Sequence, residues 1–283
     1  MQVIKIAKNE YIKWLFHSRM VILGCILILM YVMVLQPLRE RVAMMGEPIN
    51  LLEGYIGVCN SPAFLAFLPI LFLVLISDFP KMDYNMVFLL HRCGRKNWMA
   101  GQLLFLFMAD ATILAIVFAG LVLPLLNEGY WYNGWSNVIT EAAKRLPEET
   151  DSFLTQLIPP NLYFQLTPFT VAMRSSILLF AYFYLLGVIM MFGKFFGKRV
   201  IGLIVAALLV VLGAGASYFS VSVMWVLPAA HAIVSSHYTD YYREMYCSME
   251  ISYCYFLVLI LALCCGIYLK GRRLSFSRIT DID

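Results

Sequence analysis

Residues 99–123 read MAGQLLFLFMADATILAIVFAGLVL, and this stretch decides the fold class. Asp110 is its only charged residue, and an α-helix needs about 20 apolar residues to cross the hydrocarbon core of a bilayer. A membrane span must satisfy its own backbone hydrogen bonds, so it forms either a helix or part of a closed barrel. The apolar run is continuous rather than alternating, which favours a transmembrane helix.

The rest of the chain has the same character. Hydrophobic residues make up 62% of its 283 residues and charged residues 13%, with a mean hydropathy of +0.80. Soluble domains are about a quarter charged. We therefore predict an all-α polytopic membrane protein whose 283 residues form a single transmembrane domain. Six transmembrane helices are expected, at about 20–35, 55–76, 99–123, 169–192, 200–218 and 251–269.

The distribution of lysine and arginine predicts the orientation, because cytoplasmic loops carry an excess of both. With the N-terminus inside, the inner segments hold Lys5, Lys8, Lys13, Arg19, Lys81, Arg92, Arg95, Lys96, Lys194, Lys198, Arg199, Lys270, Arg272, Arg273 and Arg278. The outer side keeps only Arg39, Arg41, Lys144, Arg145, Arg174 and Arg243. Both termini are therefore expected in the cytoplasm of a multi-pass cell-membrane protein. A net charge of +4 located at the membrane surface does not indicate nucleic acid as a partner.

Residues 1–18 are predicted to form an amphipathic helix at the interface with membrane lipids. Helical spacing places one group of apolar residues on a common face and leaves Ile6 and Ile12 outside the pattern. That face comprises Val3, Ile4, Ala7, Tyr11, Trp14 and Leu15. The helix is interpreted either as an elbow before the first span or as a simple membrane anchor.

Residues 78–97 are predicted to form a short helix on the cytoplasmic side. Asp78 is a plausible N-cap, Pro80 suits the first turn, and Gly94 is a natural stop. Its apolar stripe and basic end suit either a groove on a partner protein or an anionic lipid surface.

Two outer segments are not predicted to span the membrane. Residues 127–166 form an acidic loop with interfacial aromatic residues, large enough for a small helical cap. Residues 217–250 contain Pro228 within a largely apolar run. A full span there would reverse the charge distribution, so a re-entrant segment is expected, with a surface loop as the alternative.

Charges inside spans are the first candidates for function, because they are costly in lipid. Asp110 lies near the middle of the third span and Arg174 about one turn into the fourth. They are interpreted either as polar points on a translocation path or as a contact that fixes helix packing.

No catalytic motif is found, so no enzymatic activity and no cofactor are expected. The stretch GVIMMFGKFFGK lacks the spacing and hydroxyl residue of a phosphate-binding loop. His231 and His237 with Asp240 match no metal-ligand spacing, so no metal site is expected. Cys59 and Cys247 lie on the outer side, where a disulfide between them is left open.

The topology and the stretch FLLHRCGRKNWMAGQLLFL (88–106) resemble the ABC-2 type permeases, the six-helix membrane subunits of ABC exporters. The chain departs from that family at Met82–Asn85, at Gly101–Gln102 and in its long loop over 127–166. The resemblance implies outward transport driven by a separate ATPase subunit, and a second permease as homodimer or heterodimer partner. It also implies a set of ATPase-coupling residues: Phe79, Met82, Met86, Phe88, Leu89, Leu90, Arg92 and Arg95.

Three alternatives remain open beside the exporter. A secondary transporter or channel would use Asp110 as its coupling site. A membrane enzyme would need a catalytic pair that the sequence does not reveal. A membrane immunity or assembly protein would transport nothing.

Overall fold

The computed structural model describes residues 2–80, 90, 92–145, 157–195, 200–219, 221–241 and 244–271. Within these ranges the chain is predominantly helical, with one pair of two-residue strands. Five of the helices are long and apolar enough to cross a membrane, and a bent pair adds a sixth if it counts as one span. This is the architecture of a multi-pass membrane protein.

The long helices overlap the predicted spans. In chain order they are α1 (Gln2–Leu15), α2 (Met20–Met30), a π-helical turn (Tyr31–Leu35), α3 (Gln36–Met45), β1 (Ile49–Asn50), α4 (Glu53–Asn60), α5 (Pro62–Leu75), α6 (Arg95–Val122), β2 (Gly129–Tyr130), α7 (Asn137–Thr140), α8 (Ala142–Arg145), α9 (Pro160–Tyr163), α10 (Pro168–Phe195), α11 (Ile201–Tyr218), α12 (Pro228–Ala232) and α13 (Met249–Gly271).

The first span is longer than its apolar run. The π-helical turn joins α2 to α3, so that one helical segment reaches from Met20 to Met45. It ends at Gly46, whose φ of 67° is a left-handed conformation that glycine adopts without a Cβ clash. The polar residues after position 35 therefore extend the helix beyond the predicted boundary.

The second span is broken. α4 and α5 meet at an angle of 84° around Ser61. The ring of Pro62 disfavours a helical conformation for the residue before it, and Ser61 is extended, with ψ at 129°. Pro69 lies inside α5, and the sharp bend lies at Pro62.

Contacts between helix ends show how the spans alternate. Arg19, just before α2, contacts Ser77 just after α5. Gly271 at the end of α13 lies against Met99 near the start of α6. The end of α10 approaches the beginning of α11. These ends and α1 share one side of the bundle, which we call the α1 end.

The opposite end carries a small cap. β1 pairs in parallel with β2 and thereby joins the chain after α3 to the chain after α6. Glu53 is buried, and its carboxylate accepts hydrogen bonds of 2.6 Å from both the backbone N–H and the hydroxyl of Ser136. The acidic loop predicted over 127–166 thus includes short helices that pack on the bundle, namely α7, α8 and α9.

Residues 221–241 also lie at the opposite end. They form two short 3₁₀ turns around α12, which is buried between α10, α11 and α13. Ala229, Ala230 and Ala232 have no exposed surface. Small side chains let backbones approach closely in helix bundles. Residues 228–234 are therefore packed against the bundle, whereas Val226 and Tyr241 near the two ends of the segment are exposed.

Candidate functional site

The α1 helix packs on the bundle through Ala7 and Trp14 of the predicted apolar face, together with Ile6. Ile6, which the periodicity left outside the apolar face, is buried, whereas Ile4 is 63% exposed. Ile6 fills the space beside Gly101 in α6, where a Cβ would lie 2.7 Å from the isoleucine side chain. α1 therefore packs against protein along α6, and that contact decides which residues are covered.

Two polar side chains of α1 fix its position further. The hydroxyl groups of Tyr11 and Thr112 lie 2.7 Å apart, which links α1 to α6. The indole N–H of Trp14 donates to the carbonyl of Leu75 at 3.0 Å, at the end of α5. The last carbonyls of a helix lack partners within it, so Trp14 supplies a donor where one is needed.

Two cationic side chains also bind the chain just after α5. Arg19 donates to the hydroxyl of Ser77 at 2.7 Å and pairs with the carboxylate of Asp78 at 2.8 Å. Lys194, in the last turn of α10, is buried and donates to the backbone carbonyls of Asp78 and Pro80. We call the residues 75–80, with Trp14, Arg19 and Lys194, the inner junction.

Four of the predicted ATPase-coupling residues belong to the described part of the chain, and Phe79 is one of the residues of the inner junction. Phe79 and Leu90 are buried within the chain, and the ring of Phe79 lies 5.4 Å from that of Phe105. Arg92 is exposed and Arg95 is half-buried at the start of α6. The other four lie outside the described residues: Met82, Met86, Phe88 and Leu89.

Asp110 and Arg174 are not brought together as partners. Asp110 is fully buried in α6, and neither of its carboxylate oxygens has a hydrogen-bond partner among the described residues. Arg174 instead donates to the hydroxyl of Tyr238 at 2.5 Å. The arginine therefore binds the segment 221–241, and among the described residues the buried aspartate has no hydrogen-bond partner.

A second polar network crosses the break in the second span. The amide N–H₂ of Asn60 donates to the hydroxyl of Ser175 at 3.0 Å, and its carbonyl accepts the N–H of Ser235 at 3.1 Å. Asn161 donates to the carbonyls of Ser235 and Tyr238. Neutral amides and hydroxyls thus join α4, α10 and the segment 221–241.

Two histidines lie next to this network. His231 and His237 are buried and share the hydroxyl of Ser252 in α13, at 2.8 and 2.7 Å. Burial lowers the pKa of His237 to about 4, so its ring is neutral at neutral pH. Cys247 lies beside them, whereas Asp240, the third residue weighed from the sequence, is exposed.

The structure also places the two outer cysteines and the glycines of the stretch GVIMMFGKFFGK. Cys59 and Cys247 are both free thiols, so the disulfide left open by the sequence is not formed. Gly187 and Gly193 lie inside α10 and not in a loop. Sequence reasoning missed Lys194 and Glu53 as structural residues. Lys194 was read only as a surface charge, and nothing local shows that Glu53 meets Ser136.

A scan against protein-family models and searches of curated proteins and solved structures find no match to this chain.

Proposed function

We propose that the chain is the membrane permease subunit of an ATP-binding cassette exporter, moving a substrate outward when a separate ATPase subunit drives it. The inner junction is the observation that supports this. Trp14, Arg19 and Lys194 come from three parts of the chain and all bind the segment 75–80. A force applied to this segment therefore reaches α1, the start of the first span and α10 directly.

Burial separates the coupling residues into two groups with different roles in this proposal. Phe79 and Leu90 are buried, so in this proposal they hold the segment to the bundle. The exposed Arg92 and the half-buried Arg95 provide positive charge for an acidic rim on the ATPase. Entry into its groove is then assigned to the four residues outside the described ranges: Met82, Met86, Phe88 and Leu89.

The proposal also specifies the orientation of the chain in the membrane and its assembly with a second subunit. The α1 end faces the cytoplasm of a cell membrane, with both termini inside, and the segment 221–241 is a re-entrant segment on the outer side. A second permease subunit, identical or different, completes the path between two bundles surrounded by membrane lipids.

The test is purification of the tagged chain from its native membrane in mild detergent, followed by mass spectrometry. We expect an ATPase chain in near-equal amount. Arg92→Glu should reduce that amount at least tenfold, because it reverses an exposed charge that the proposal assigns to the contact with the ATPase. Lys8→Glu is the matched control, since Lys8 is an exposed cation on α1. Recovery of the chain without an ATPase would overturn the proposal.

Asp110 supports a second candidate, a secondary transporter or channel. A buried carboxyl group without a partner is costly in a membrane and is a typical proton or ion site. In reconstituted vesicles this candidate predicts ion-coupled flux without ATP, lost in Asp110→Asn. The exporter instead predicts ATP-dependent transport that fails in Arg92→Glu. A membrane assembly or immunity protein would show neither activity.

A further inference from the structure

The two buried histidines have fixed proton positions. Nε2 of His231 lies 2.8 Å from the carbonyl oxygen of Trp225, and Nδ1 of His237 lies 2.8 Å from that of Ile233. A carbonyl oxygen only accepts hydrogen bonds, so each of these nitrogens carries a proton. The remaining nitrogens, Nδ1 of His231 and Nε2 of His237, are therefore the lone-pair nitrogens of the neutral rings.

Both lone pairs point at one hydroxyl group. Nδ1 of His231 is 2.8 Å and Nε2 of His237 is 2.7 Å from Oγ of Ser252. A serine hydroxyl has one hydrogen and can satisfy only one of them. One buried imidazole nitrogen is thus left facing an oxygen without a proton between them. Such a position calls for a cation, either an additional proton or a metal ion.

The position of Cys247 favours a metal ion over an additional proton. A ring nitrogen of each histidine and the sulfur of Cys247 all lie within 4.8 Å of one another. A thiol is not needed to share a proton between two imidazoles, whereas a thiolate is a strong ligand for zinc and copper.

We propose that His231, His237 and Cys247 form a binding site for a transition-metal ion of the zinc or copper class. The orientation of the rings fits this use, because metal-binding histidines typically donate their second N–H to a backbone carbonyl or carboxylate. Ligand atoms around tetrahedral zinc lie about 3.5 Å apart, so binding brings the three ligand atoms closer together from separations of up to 4.8 Å. The hydroxyl of Ser252 or a water is the fourth ligand.

The site would connect two elements. His231 and His237 belong to the segment 221–241, and Cys247 lies in the turn that leads into α13. A bound ion therefore fastens that segment to the last span, whatever the chain transports.

Zinc binding by the full-length chain in detergent tests the proposal. The protein is reduced, treated with a chelator and titrated with Zn²⁺ against a chromogenic competitor. We expect one ion per chain in the wild type. Cys247→Ser should weaken binding about 100-fold or more, since even a change in the residues behind the ligands costs 10–100-fold. Cys265→Ser, an exposed cysteine in α13, is the control and should bind as the wild type does.

Cobalt gives a second measurement that does not depend on affinity. Co²⁺ bound to a thiolate shows a sulfur-to-metal charge-transfer band in the near ultraviolet, expected in the wild type and absent from Cys247→Ser. The thiol donates to the carbonyl of Ser248 at 3.7 Å, and the histidines bind Ser252 and backbone carbonyls, so this substitution leaves the histidine network intact. Absence of stoichiometric zinc, equal affinity in the two proteins, or a cobalt complex without the sulfur band would each overturn the site.

Discussion

The inner junction and the polar network around Asn60 solve the same problem at the two ends of the bundle. In each, a helix ends or breaks and a buried backbone group needs a partner. At the inner junction long cationic side chains, Arg19 and Lys194, reach across to the end of the second span. Around the break at Ser61 the partners are short and neutral, with Asn60 and Ser175 in contact.

The difference follows from the surroundings of each end. A lysine or arginine can bury its stem along apolar surface and place its charge at a polar boundary. At Asn60 the partners lie on elements packed closely together, so short neutral side chains form the hydrogen bonds. We therefore expect a substitution at one end to increase hydrogen exchange in the elements of that end and not in those of the other.

Lys194→Met should have the largest effect. It leaves the buried carbonyls of Asp78 and Pro80 without this donor, and each such loss costs about 1–3 kcal/mol. We expect the free energy of unfolding in mixed micelles to fall by about 2–4 kcal/mol. Hydrogen exchange should rise at residues 75–80 and stay unchanged at 221–241. Lys13→Met is the control, because the Lys13 side chain is 51% exposed. Faster exchange at both ends would show that they are not separate.

Asn60→Leu should give the reverse pattern. It removes the acceptor of the Ser235 N–H and the donor to Ser175, at a cost of about 1–3 kcal/mol. Faster exchange is expected at 221–241 and not at 75–80.

Asp110→Leu is the matched substitution for Asn60→Leu. Asp110 is buried without a hydrogen-bond partner among the described residues, so removing its carboxyl group should raise the free energy of unfolding by about 1 kcal/mol. A loss of stability in Asp110→Leu would mean that the carboxyl group is bound by something essential to the fold.

The smallest effect concerns the cap at the opposite end. Hydrogen bonds from Asn137 and then from Arg145 lower the pKa of Glu47. Its contribution to stability is therefore present above the usual glutamate pKa and is lost as the pH falls through the lowered value. The melting temperature of the wild type should exceed that of Glu47→Gln at about pH 6, and the two should converge towards about pH 3. A difference that persists at the lower pH would exclude the carboxylate as its source.

Some features of the fold could be predicted because they depend on local pattern alone. Apolar length located the spans, since a bilayer imposes the same thickness on each of them. The break in the second span is not among the predictions, although the ring of Pro62 restricts the residue before it. The periodicity of α1 predicted a helix and placed Ala7 and Trp14 on its apolar face, but it left out Ile6, which is buried because it fills the space beside Gly101 of α6.

The sequence by itself determined that this chain is a helical membrane protein, where its long apolar segments lie and which of the flanking segments are basic. The tertiary structure decided that Lys194 binds carbonyls just after the second span and that Asp110 and Arg174 are not paired. It also decided that His231, His237 and Cys247 converge. The physical reason is the separation along the chain over which each effect acts. Hydropathy acts on each segment separately, whereas a hydrogen bond or a ligand set depends on groups far apart in the chain that meet only when the helices pack.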